Sequence, residues 1–102
     1  MSIKLVLLKS NEVIITDAKE LTKDENVIGY LLKNPHKVSI QREVVLTEKV
    51  EPNVNKREVN IILTSWMPLS GDNEFVISPD WVACIMNPEK SVLKIYEEKV
   101  NG

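Results

Sequence analysis

Little in this chain suits it to catalysis or to metal binding. It has one cysteine, one histidine, three glycines and two alanines in 102 residues. A single thiol, Cys84, makes no intrachain disulfide, which points to a reducing compartment. A single histidine, His36, leaves the four-ligand set of a structural zinc site unfilled, so neither a metal nor a cofactor is expected. Gly29, Gly71 and Gly102 lie too far apart to form a phosphate-cradling loop. No apolar run approaches the roughly 20 residues that cross a bilayer. Met1-Ser2-Ile3-Lys4 leads into no small-residue cleavage site, so a soluble, cytoplasmic protein without a membrane partner is expected. The net charge of −2 excludes a strongly basic nucleic-acid coat protein. The acid pairs Asp24-Glu25 and Glu97-Glu98 fall in polar segments and read as solvated charge rather than as a general acid and base. Cys84 sits in the apolar stretch from Trp81 to Met86 and reads as a small buried hydrophobe rather than a nucleophile. No catalytic residue is nominated, and the protein is expected to bind rather than to catalyse.

The residues that are present favour strands. There are 13 Val and 10 Ile beside 10 Leu. Branching at Cβ suits a pleated strand better than a helix, and alanine, the best helix former, is nearly missing. A single domain spanning 1–102 and mostly β follows. Ile3 to Leu8 reads as a first strand, and Asn11 in the break after it suits the positive φ of a tight hairpin. A second strand starts at Val13 and fades into alternation up to Leu21. A third runs from Val27 to Leu32, Asn34-Pro35 makes a bend unfit for a central strand, and strand character resumes from Lys37 to Leu46. The stretch 47–58 is charged, contains Pro52 and lacks periodicity, so it reads as one long loop. Val59 to Trp66 alternates as a further strand, and Met67 to Asn73 reads as a turn. Phe75-Val76-Ile77 and Trp81 to Met86 read as two short strands pinched apart by Ser78-Pro79-Asp80. The period then changes: Asn87 as N-cap, Pro88 at the first helical position and Val92, Ile95, Tyr96 and Val100 at helical spacing predict a helix over 88–100. Five or six short strands with one charged loop and a terminal helix can close as a small barrel, which removes exposed edges.

Charge is unevenly placed. Lys33 to Arg42 carries three cations, His36 and no acid, whereas Glu58 to Glu89 carries five acids and no Lys or Arg. A segment with Lys33, Asn34, His36 and Lys37 offers cations for phosphates, an amide for base edges and an imidazole for stacking. The plainer reading is a solvated bend. Several copies around one axis would focus that small charge into a positive site.

Two stretches resemble the Sm-like (LSm) family. Ile3 to Glu12 leading into Val27 to Ile40, with Gly29 inside a strand, is similar to that family's first motif, a hairpin followed by a polar loop and another strand. Phe75 to Ile85 resembles the second motif, two short strands flanking a one-turn kink. More narrowly, most of the chain resembles the small Sm-like proteins of marine cyanophages, which would place it in the host cytoplasm. The resemblance implies a bent five-stranded SH3-like barrel assembling edge to edge into a homo-oligomeric ring of about five to seven subunits. It further implies binding of single-stranded RNA, with Lys37 and its neighbour His36 near the stacking position and Ser39 near the base-contacting one. Where the family carries an Arg-Gly pair this chain has Ser78-Pro79, so any RNA is expected to bind in a different mode. The RNA-binding candidates are therefore Lys33, Asn34, His36, Lys37 and Ser39. The subunit-interface candidates, on apolar edges with few blocking residues, are Val59, Ile61, Ile62 and Leu63 and then Phe75, Val76 and Ile77. The alternative is a protein-interaction or assembly scaffold of phage origin that binds no nucleic acid, which the acidic half and the missing Arg-Gly favour.

Overall fold

A computed structural model describes residues 2–42 and 59–101. The loop expected over 47–58, and the end of the strand expected to reach Leu46, lie outside the described residues. Among these residues the architecture is mostly β: one antiparallel six-stranded sheet and one C-terminal helix.

β1 (Ile3–Leu8) and β2 (Val13–Lys23) form a hairpin in register Leu5↔Ile15. Asn11 turns the chain with φ 71°, and the Leu8 N–H donates to the Glu12 carbonyl at 2.9 Å. The polar side chain of Asn tolerates this left-handed conformation better than a branched one would. β3 (Asn26–Arg42) returns along β2 after a two-residue turn in which Asp24 and Glu25 both take positive φ, the twist a tight hairpin needs. The strand thus resumes at Asn26, and the gap expected between Leu21 and Val27 shrinks to two residues.

The bend at Asn34-Pro35 does not end the strand. β3 is one 17-residue strand running through it, and it is central, with β2 on one side and both β4 (Val59–Ser65) and β5 (Glu74–Ile77) on the other. The register passes from Asp17↔Lys33 to Ile15↔His36, so Thr16 alone faces Asn34 and Pro35 together. That is a β-bulge, the place within a sheet where a proline, which has no N–H to give the ladder, is accepted. The bulge also marks a change of partner: β5 pairs with Tyr30 to Lys33, and β4 pairs with His36 to Arg42.

A 3-10 turn, Pro79–Trp81, follows β5, and the Ser78 hydroxyl accepts from the Asp80 N–H at its start. β6 (Val82–Met86) then lies along the free side of β1. No strand pairing joins β6 to β4 or β5 among the described residues, so the hydrogen-bonded sheet is not closed.

Both faces of this sheet carry apolar cores. Val6, Leu8 and Ile14 cluster with Trp66, Ile77 and Val82 on one face. Their strand neighbours of opposite parity, Ile3, Leu5, Ile15, Val38 and Leu63, meet Val92 and Tyr96 of helix α1 (Lys90–Asn101) on the other. This explains why Ile3–Leu8 and Val13–Thr16 read as nearly continuous apolar runs rather than clean alternation. α1 starts two residues later than its capping signals imply. The Glu89 carbonyl accepts the first helical bond from the Leu93 N–H, while the Asn87 side chain is used by the Lys4 ammonium instead. Of the helical apolar residues, Val92 and Tyr96 are buried, and Ile95 and Val100 stay partly exposed.

Candidate functional site

The residues expected to hold RNA all lie on β3, around the bulge, but they do not share one surface. Beyond the bulge the strand alternates: His36 and Val38 face α1, whereas Lys37 and Ser39 face away. Lys33 lies opposite Glu74, its Nζ 3.6 Å from Oε1, with both side chains about half exposed. The acid-free run from Lys33 to Arg42 thus receives an acid across the sheet from β5. Asn34 takes φ 50° and donates its backbone N–H to the Asn73 carbonyl at 2.7 Å, serving the bulge. The His36 ring stands edge-on to Tyr96 with centroids 5.8 Å apart, and its Nδ1 lies 2.8 Å from the Asn34 carbonyl oxygen. Lys37 is exposed and Ser39 half-buried. A loop would have let these groups converge; a pleated strand sends alternate ones to opposite faces.

What converges instead is a set of donors on the bulge carbonyls. The buried Thr16 hydroxyl donates to the Lys33 carbonyl at 2.9 Å, and the buried Tyr96 hydroxyl lies 3.3 and 3.1 Å from the carbonyls of Lys33 and Asn34. Burial pushes the Tyr96 phenol above its ordinary value of 10.0; a backbone hydrogen bond from Asp17 opposes the shift, and the nearby Asp17 charge adds to it. A bulge leaves backbone groups outside the ladder, and buried ones need partners. Among the described residues no buried side-chain polar atom lacks one. The cluster fixes the bend rather than presenting free groups to a ligand. Helical spacing marked Tyr96 as a core residue, and nothing local in the sequence announces its hydrogen bonds across 62 residues.

The interface candidates divide likewise. Leu63 is buried and Ile61 packs under α1, while Ile62 points to the other face and is partly exposed. Val59 opens β4 opposite Arg42. Phe75 stands edge-on to Trp66 at 5.7 Å, Ile77 joins the core, and Val76 is exposed. β4 and β5 pair with β3 along one side and, among the described residues, with nothing along the other.

The edge that the sequence reading passed over is β6. Among the described residues it pairs with β1 alone, and Ala83, Cys84, Ile85 and Met86 are all exposed. Cys84 is therefore not buried: among the described residues its terminal strand has a paired neighbour on one side only. A second omission is the segment Met67 to Leu69, apolar residues inside a predicted turn. With Trp66, Phe75 and Val76 they line an open apolar cleft of about 390 Å³. Hydrophobic side chains where a turn calls for polar ones were the available signal.

Among the described residues no three His, Cys, Asp or Glu side chains group in a way that could hold a metal ion. Among the described residues no helix is long and apolar enough to cross a membrane. The model of a family described as of unknown function, DUF6561, matches residues 1–101. No curated protein matches the chain.

Proposed function

The chain belongs to the family of unknown function DUF6561, and from that premise we propose that it is a non-enzymatic, Sm-like barrel subunit that assembles into a closed homo-oligomer. The observation that carries this reading is a pair of uncharged strand edges, unpaired among the described residues, at opposite ends of one sheet, β4 (VNIILTS) and β6 (VACIM). Unblocked edges are templates for another strand. Because the two edges differ, each copy would offer one to its neighbour and accept the other, a heterologous contact that closes into a ring when the rotation fits. Curling of the sheet is supported by β5 and β6: they pair with β3 and β1 respectively, yet are joined by the three-residue turn Pro79–Trp81. Light scattering on the purified protein tests this reading. A mass about five to seven times 11.6 kDa supports it, and a monomer at all concentrations overturns it.

RNA binding is the second reading, and Lys37 favours it: exposed, with no ion pair among the described residues, and on the same face as Ser39. One cation per subunit is weak alone, and repetition around a ring multiplies it. Short single-stranded RNA is expected to bind with log affinity falling linearly in log salt. Lys37→Glu is expected to weaken binding at least tenfold and flatten that slope by about 1 per contacted phosphate, leaving the assembly mass unchanged. Lys33→Glu is expected to do less, since Glu74 already sits beside that ammonium. If RNA fails to bind at low salt, the protein-only scaffold is the reading that stands. Fluorescence anisotropy with a labelled oligonucleotide measures all three.

A further inference from the structure

We infer that the cleft between Met67–Leu69 and β5 is a docking site for an extended, apolar and basic peptide segment of another protein, independent of how copies join through β4 and β6. Two of its lining residues, Trp66 and Phe75, meet edge to face at 5.7 Å. Its walls are unusually exposed for apolar residues, with Leu69 fully solvated, Val76 65% exposed and Met67 42% exposed. Such a patch on a small domain marks a binding surface. The outer edge of β5 has no backbone partner among the described residues, so an incoming strand would find main-chain donors and acceptors beside a cleft that takes its alternate side chains.

Charge selects the occupant. Asp72 and Glu74 are exposed and lie in the sequence between the cleft-lining Ser70 and Phe75, Asp80 follows in the 3-10 turn, and residues 59–89 contain no Lys, Arg or His. The pairing of Glu74 with Lys33 is half exposed and too weak to withdraw that carboxylate from a second cation. A segment alternating apolar and basic residues meets both features. The uncharged β6 edge of a second copy answers the apolar walls but leaves the carboxylates unmatched.

The test follows Trp66 fluorescence in a Trp81→Phe background, where Trp66 is the remaining indole. The probes are acetyl-Lys-Leu-Lys-Val-Lys-Leu-amide and its twin with glutamate in place of lysine. The basic peptide is expected to shift the emission saturably, and the acidic twin to bind at least about tenfold more weakly. Leu69→Glu with Val76→Glu is expected to abolish the response without changing circular dichroism, both side chains being exposed. Asp72→Lys with Glu74→Lys is expected to reverse the preference between the twins. Equal binding of the two peptides, or no response to either, overturns the inference. So does a change in light-scattering mass on Leu69→Glu with Val76→Glu, which would assign the cleft to a second copy.

Discussion

A variant carrying Ala83→Lys and Ile85→Lys is expected to run as a single 11.6 kDa chain under conditions where the unaltered protein is an assembly. The reasoning rests on where β6 stands. Among the described residues it is the last strand of the sheet, paired with β1 alone and exposed from Ala83 to Met86. Adding a neighbour's strand would satisfy its outward backbone groups and cover Ile85 and Met86 together. Two ammonium groups on that edge would be buried against an apolar neighbour, and charged edge side chains are how natural sheets discourage pairing. The fold itself is expected to survive, because neither side chain belongs to a buried cluster. Light scattering reports the mass and circular dichroism the fold. An assembly of unchanged mass in this variant would remove β6 from the interface.

Tyr96→Ala is expected to be the most damaging change to the monomer. Tyr96 is 3% exposed, packs with Ile15, Leu63 and Val92, stands edge-on to His36 and caps the bulge carbonyls. Deleting a buried aromatic costs about 3–5 kcal/mol, a large share of the roughly 5–15 kcal/mol that holds a domain folded. At this chain length that lowers Tm by about 12 °C or more. Tyr96→Phe isolates the hydroxyl and is expected to cost about 1 kcal/mol. It also removes an alkaline weakness. Burial holds the folded phenol above 10.0, so as pH climbs past that value the unfolded chain ionises first and binds fewer protons than the folded one. Stability then falls with rising pH, having been fully present below about pH 10. Denaturation midpoints from about pH 8 to pH 11 are expected to fall more steeply for the unaltered protein than for Tyr96→Phe. Parallel curves would show that the hydroxyl is not the group responsible.

Local chemistry made much of the fold legible. Ile3–Leu8 matched its apolar pattern to the residue, Asn11 announced its turn, and the change of period after Met86 announced α1. Legibility failed where a long-range partner outweighed a local signal. Asn34-Pro35 reads as a break until Thr16, Tyr96 and Asn73 are placed around it, and those partners are remote in sequence. Asn87 has the right side chain for a cap, but Lys4 takes it. The proposed site suffered from the same error. Reading the basic stretch as a loop let Lys33, Asn34, His36 and Lys37 converge, and their membership of one pleated strand separates them. Cys84 and its neighbours looked buried because composition does not reveal whether a strand is central or terminal.

The short connection at Pro79–Trp81 bears on how the molecule is made. The strands on either side of it cover two different margins, β3 and β1, that are synthesised well before residue 74. Until that late segment emerges, β1 and the Tyr30–Lys33 stretch of β3 both lack these partners, and both gain them within thirteen residues of synthesis, from Glu74 to Met86. Stalling or truncation in that interval would yield a product rich in exposed β surface, the kind that chaperones hold and proteases remove.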